Sequence, residues 1–274
     1  MTNTYRMKDL TMKSMLAALA VLVSVPALAG TKPAGPVNYP GFGLSASRVV
    51  VMEGDAGSGQ VVAMNNSDNI YLAQSRVWPA DGVTGYPLTR EGDKKTAVPF
   101  LVTPPLKRLD SWSTLQLRIM VMPDNHLPAD RESLFFLSSR AIPSEPAPVK
   151  GVRDDETKAR VSMALQNFIK LYYRPKGLGA HAIFDGAVAG KVRMSRSPDN
   201  RLRVTNPTPY YLTFGVLTVN GRALDADARR VMVPPLGTQE YVMPAGAGVK
   251  GAAVKWRLID EFGLVTDEQQ QTLP

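Results

Sequence analysis

The side chains that a nucleophilic or metal-dependent mechanism would draw on first are scarce here: His126, His181 and no cysteine at all. A zinc or iron–sulfur centre needs thiolate or imidazole ligands, and two imidazoles are too few. A site built from carboxylates would suit a hard cation such as calcium better. No metal site and no cofactor is expected. Neither histidine lies in a nucleophile elbow or an HExxH helix, the contexts that Ser-His-Asp hydrolases and zinc proteases require. His126 sits in the polar turn Pro123-Asp124-Asn125-His126-Leu127-Pro128. Asp154 and Glu156 are a carboxylate pair of the kind hydrolases use, but they belong to a charged run whose simpler reading is a solvated loop. The chain does not read as an enzyme.

Charge excludes a second class. Lys and Arg number 32 against 24 Asp and Glu, a formal net charge of +8. These basic residues are spread thinly and never form a dense tract beside stacking aromatics, so no nucleic acid is expected as a partner. The N-terminus is patterned separately. Arg6, Lys8 and Lys13 precede an apolar run over residues 15–25 that ends in Pro26-Ala27-Leu28-Ala29-Gly30. A charged start, a short apolar stretch and an Ala-x-Ala site make residues 1–29 a cleavable secretory signal, since the run is too short to span a bilayer. An exported protein without cysteine must hold together by packing alone.

The elements that would position any site are strands. From residue 42 onward, short β-branched or alternating runs are separated by Gly, Asn, Asp and Pro, which predicts antiparallel sandwiches rather than βαβ units. Runs at 47–51, 60–64, 71–78, 115–121 and 133–137 come first. Leu115, Leu117, Ile119 and Val121 alternate with Gln116 and Arg118, so one face is apolar. A Pro- and charge-rich stretch from 143 to 160 predicts a long exposed loop. It leads into an unusually long strand over 161–175, where Val161, Met163 and Leu165 share one side. On alternation alone, those three are equally a core row or an exposed one. Pro175-Lys176-Gly177-Leu178-Gly179 breaks the ladder and marks a boundary. Further runs at 202–205, 211–219, 231–233, 240–243 and 254–259, with a hairpin signal at Asn220-Gly221, predict a second sandwich. The expected domains are residues 38–175 and 180–274.

Several ordered strings then resemble one family, the periplasmic chaperones of the chaperone–usher pilus pathway. They are Ser47-Arg48-Val49, Tyr71-Leu72-Ala73-Gln74-Ser75, Thr103-Pro104-Pro105-Leu106-Lys107-Arg108-Leu109 and Leu117-Arg118-Ile119, followed by Leu127-Pro128-Ala129-Asp130-Arg131-Glu132-Ser133-Leu134-Phe135. Ile142-Pro143, Ile169-Lys170-Leu171-Tyr172-Tyr173-Arg174-Pro175 and Asn206-Pro207-Thr208-Pro209-Tyr210-Tyr211 complete the set. The resemblance implies an all-β protein of two immunoglobulin-like β-sandwich domains in tandem, set at an angle with a cleft between them. It implies capture of pilin subunits by strand donation and their delivery to an outer-membrane usher.

By the same resemblance, Arg48 and Lys170 would bind the subunit's C-terminal carboxylate, while Val161, Met163 and Leu165 would be the donor strand. Arg118, Glu132 and Asp260 would form an interdomain charge network, and Pro104, Pro105 and Leu106 would face the usher. Periplasmic location follows, and a self-capping homodimer of the free protein stays open. One departure stands out. The loop after residue 143 is long, as in the long-loop branch of the family, yet the cysteine pair usual in that branch is missing. A different class, a secreted two-domain adhesin or carbohydrate-binding protein, shares the fold but would need neither the Arg48/Lys170 pair nor an exposed apolar strand.

Overall fold

The computed structural model describes residues 41–55, 59–89, 98–144 and 163–274. The signal segment, most of the loop after residue 143, the Asp154/Glu156 pair and Val161 lie outside them. Among the described residues there is no α-helix, and no helix is long and apolar enough to cross a membrane.

Among the described residues, nine strands build the first sandwich: β1 (Gly41–Leu44), β2 (Arg48–Met52), β3 (Gln60–Asn66), β4 (Tyr71–Pro79), β5 (Phe100–Thr103), β6 (Leu106–Leu109), β7 (Thr114–Val121), β8 (Ser133–Pro143) and β9 (Leu165–Arg174). One sheet runs β1-β3-β7-β5 and the other β2-β9-β8-β4-β6. β4 illustrates why these residues form a strand. Tyr71, Ala73, Ser75 and Val77 point inward and are buried, and Leu72, Gln74 and Arg76 point out. Ala63, Leu117, Leu137 and Leu171 meet between the sheets with no exposed surface. Each such leucine contributes about 2 kcal/mol through the area removed from water. Polar groups inside are partnered: Trp78 Nε1 donates to Ser138 Oγ at 2.8 Å, and Ser75 and Ser139 share a hydroxyl contact of 3.0 Å.

The opening segment switches sheets. β1 pairs antiparallel with β3, whereas β2 pairs parallel with β9, so that Arg48 stands opposite Lys170. Ser45 stitches the crossing by exchanging hydrogen bonds with Val62: its amide donates to the Val62 carbonyl at 2.8 Å and its hydroxyl accepts the Val62 amide at 3.0 Å.

The second sandwich comprises β10 (Arg193–Arg196), β11 (Arg201–Asn206), β12 (Phe214–Val219), β13 (Arg222–Ala223), β14 (Gly237–Val242), β15 (Ala253–Leu258) and β16 (Gln269–Thr272). Its sheets run β10-β11-β14 and β13-β12-β15-β16 over a core that includes Leu202, Val204, Leu212, Leu217, Val254 and Leu258. Both lobes end a strand on a buried asparagine. Asn65 Nδ2 donates to the carbonyls of Asn69 and Asp110, and Asn206 Nδ2 to those of Tyr210 and Pro234. Each asparagine Oδ1 accepts from the residue two positions on, Ser67 or Thr208, through both amide and hydroxyl. A side-chain amide thus replaces a turn's missing backbone partners.

Three expectations on elements change. The long strand expected over 161–175 begins, among the described residues, only at Leu165, so Met163 lies before it. Residues 231–233 contribute a single bridge, Leu212 to Val233, instead of a strand, because Pro234 follows at once. The strand expected from 211 begins at Phe214, with an irregularity of register between Phe214 and Val216.

Candidate functional site

β9 carries two rows of side chains. Ile169, Leu171 and Tyr173 point into the first sandwich. Lys170, Tyr172 and Arg174 point the other way, toward the second lobe, and the cleft is built on that second row.

Arg174 is the deepest of the three, with 1% of its surface exposed. Its Nε donates to Glu132 Oε1 at 2.7 Å and its Nη2 to Glu261 Oε1 at 2.8 Å. Nη1 holds the carbonyls of Gly179 and Ala180 at 2.7 Å each, which fixes the connecting segment. The guanidinium also lies 4.7 Å over the Tyr210 ring. Both carboxylates are further engaged. Glu132 Oε2 accepts the Tyr211 amide at 2.7 Å, and Glu261 accepts the amides of Ile183 and Phe184 at 3.0 Å each. Burial raises the Glu132 carboxyl above its ordinary value despite Arg174 and the Tyr211 amide. Burial pushes Glu261 the same way, but there Arg174 and the two amides prevail and hold the carboxyl low. The network joins the residue before β8, β9, the connecting segment and the second lobe through charge-assisted bonds, and geometry of this kind fixes orientation more than it adds stability.

This corrects the expected charge network. Glu132 takes part; Arg118 and Asp260 do not. Arg118 is exposed on β7, opposite Gln60 and Thr103, because the apolar alternation of that strand turns it to solvent. Asp260 is buried, yet its Oδ1 accepts the amides of Phe262 and Leu264 at 2.9 and 2.8 Å and so folds its own turn. That turn reaches Ser47, the residue before β2. Gly263, at φ +85°, adopts a backbone conformation that favours glycine, and a Cβ there would sit 2.5 Å from Ser47 Oγ, whose hydroxyl would have to rotate away.

Arg48 and Lys170 are brought together. Arg48 is 8% exposed, and its Nη1 donates to the Ile259 carbonyl at 3.1 Å. Its Nε is buried with no partner. Lys170 Nζ donates to Thr213 Oγ1 at 3.1 Å. Burial, with the Arg48 charge beside it, brings the Lys170 ammonium down to about 7. Lys170 and Thr213 line a cleft of about 620 Å³ whose other walls include Tyr86, Phe136, Phe168 and Arg229.

Along β9 the cation pair sits where one kind of edge becomes another. Residues 170–173 are sandwiched between β8 and β2, but β2 begins at Arg48. Among the described residues, no strand therefore pairs with the outer edge of β9 from Leu165 to Ile169. A gap of about 340 Å³ lies there, bounded by residues 43–47 and 167–169. Leu165, the first residue of β9, is 43% exposed and shares the parity of Ile169 and Leu171 past the end of the core that row fills; Met163 precedes the strand and is 69% exposed. Pro105 and Leu106 are exposed and Pro104 is half-buried, at the start of the outermost strand β6.

Comparison with known proteins decides the family. Residues 41–179 match the model of the pili and flagellar-assembly chaperone, PapD N-terminal domain, and residues 187–270 that of the pili assembly chaperone PapD, C-terminal domain. The chain belongs to the PapD-type pilus-assembly chaperones. It is 35% identical over 226 residues to the chaperone protein FimC of Escherichia coli strain K12, covering 82% of each chain. The crystal structure of the E. coli chaperone DraB superposes with a TM-score of 0.67 at 32% identity, covering 85% of this chain and 96% of that one. The Salmonella enterica SafB chaperone, solved in complex with the SafA pilin, gives 0.66 at 30% identity, with 85% and 96% covered. Tandem immunoglobulin-like domains are the fold of these relatives, and the family is one of chaperones, not of enzymes.

For this PapD-type chaperone, sequence reasoning missed Arg174 and Glu261. The parity of β9 could have found the first, since a face carrying Lys170 also carries Arg174 four residues on. Glu261 had no comparable signal. It adjoins Asp260, and nothing in the pattern says which of two consecutive acids turns toward the other lobe.

Proposed function

We propose that this protein binds pilin subunits in the periplasm, lends them the outer edge of β9 as a missing strand, shields them from aggregation and passes them to an outer-membrane usher. The observation that carries the reading is the edge of Leu165–Ile169, open and strand-shaped, which ends on the Arg48/Lys170 pair. A subunit lacking one strand exposes an apolar groove and unpaired edges that would otherwise aggregate. Met163 and Leu165, with Val161 beyond them, are the apolar anchors for that groove. Each is worth about 1.5–3 kcal/mol when fully buried.

Direction follows from the ladder. β2 runs parallel to β9 and starts opposite Lys170. An incoming chain that occupies the open edge and ends at Lys170 must therefore also run parallel to β9, its last residue abutting Arg48. A carboxylate at that point meets two cations, one a buried donor with an unmade bond, so the terminus sets the register. Pro104, Pro105 and Leu106, rigid and largely exposed on an edge strand, are assigned the usher contact. Residues 1–29 are assigned to export and cleavage. The same open edge would let two free copies cap each other.

The test is co-expression with a pilin encoded beside this chain. A one-to-one complex is expected with the wild type and none with Arg48→Ala or Lys170→Ala, both variants remaining folded by circular dichroism. Equal recovery of pilin with either variant would overturn the carboxylate anchor.

A further inference from the structure

Among the described residues, three buried side-chain nitrogen or oxygen atoms lack a hydrogen-bond partner, and two of them are guanidinium Nε atoms: that of Arg229, which lines the cleft beside Lys170, and that of Arg48, in the narrow crevice by Tyr172 and Arg174. A buried donor left unmade costs more than a made bond gains, so each of these donors, on either side of Lys170 in the structure's two neighbouring hollows, points to an anionic group that the free protein does not supply. The carboxylate anchor described above uses Arg48 and Lys170. Arg229 remains over.

Arg229 comes from the second lobe, in the short turn before Val231. Its neighbour Arg230 is already committed, to Asp227 at 3.0 Å and to the Tyr86 ring at 5.9 Å. Arg229 itself forms no ion pair among the described residues; its Nη1 donates to the Gly215 carbonyl. Lys170 Nζ is bound to Thr213. The two cations are thus tethered two residues apart in sequence, one on the Thr213 hydroxyl and the other on the Gly215 carbonyl, and both line the same cleft. An extended ligand repeats same-side groups at that interval. A chain whose terminal carboxylate rests at Lys170 can therefore bring a second acidic group to Arg229.

We infer that Arg229 is a second anion subsite, which reads an acidic side chain among the last three residues of the captured chain. The inference rests on the carboxylate anchor proposed above. It makes the second lobe part of ligand selection, with Phe136 and Phe168 as the apolar walls between the two charged points.

The probe is a panel of N-acetylated tetrapeptides with a single Glu or Gln at each of the last three positions, each prepared as free acid and as amide. Binding is followed by amide chemical shifts of the intact protein. At one position the free acid with Glu should bind about tenfold more tightly than its Gln counterpart, and Arg229→Gln should bring the Glu peptide down to the level of the Gln peptide. Arg229→Lys, which keeps the charge, should recover part of the preference. Free acids that bind better than amides with no Glu preference at any position would overturn the Arg229 subsite and leave the carboxylate anchor standing. Amides that bind as well as free acids would overturn the anchor and the subsite with it.

Discussion

Arg48 and Lys170 are partners on the first rung of the parallel ladder between β2 and β9, two cations side by side with no acid between them. Charges of like sign do not share a buried rung to stabilise a fold. Arg48 lowers the Lys170 ammonium further after burial has already lowered it, and the cost is borne by the free protein.

The pH dependence follows. Lys170 in the fold titrates near 7, against 10.5 for an ordinary lysine. The groups facing it are Arg48 on β2, Thr213 just before β12, and Arg229 and Arg230 across the cleft. A bound carboxylate favours the charged form, so subunit affinity should be full below pH 7 and fall by about tenfold by pH 8.5. Lys170→Arg, which stays charged, should bind with a flatter profile. Stability moves the other way. The unfolded chain holds the Lys170 proton up to about 10.5 and the folded one releases it above 7, so this group makes the fold less stable below pH 7 and the penalty lifts as pH rises from 7 toward 10.5. Lys170→Met should raise the midpoint of urea unfolding at pH 6, by roughly 1–3 kcal/mol in stability, while abolishing capture. Denaturation at pH 6 and pH 9 checks both signs.

The charge network separates two arginines of different worth. Arg174→Met leaves Glu132 and Glu261 buried without their cation and should cost about 3–5 kcal/mol. Small-angle scattering should then report a broader distribution of lobe arrangements. Arg118→Ala removes an exposed side chain and should change stability by less than about 0.5 kcal/mol. Thermal unfolding of the two variants, with scattering on the first, is the measurement.

Exposed Met163, just before β9, and exposed Leu165, at its start, should behave unlike the buried residues of β9. Leu171→Ala opens a cavity in the first core and should cost about 2–5 kcal/mol. Met163→Ser and Leu165→Ser remove side chains that touch solvent in the free protein, so unfolding should shift by less than about 0.5 kcal/mol. Pilin co-purification should nevertheless fall at least tenfold for the double variant.

Period-two alternation carried the fold a long way. Leu115 to Val121 and Tyr71 to Val77 read as half-buried strands because one face of each meets a core, and the turn dipeptides between strands did the rest. β1 was illegible, since Gly41-Phe42-Gly43-Leu44 carries little side-chain pattern and pairs chiefly through its backbone with β3. Alternation names a face but never a partner. It could set Lys170 and Arg174 on one side of β9, yet nothing local connects Arg174 to Glu132 or Glu261, which are 42 and 87 residues away in sequence. Resemblance filled that gap with Arg118 and Asp260, one turned to solvent by its own strand and the other spent on its own turn.

The central claim is that β9 lends its open edge to a subunit strand that ends at Lys170. Amide hydrogen exchange on the complex with a co-expressed pilin addresses it directly, with the free chaperone as reference. The account predicts new protection over Met163–Ile169, strongest toward the Lys170 end, with little change in residues 171–174, which already pair with β2. A complex in which residues 163–169 exchange as fast as in the free protein, while protection appears elsewhere on the surface, would contradict it.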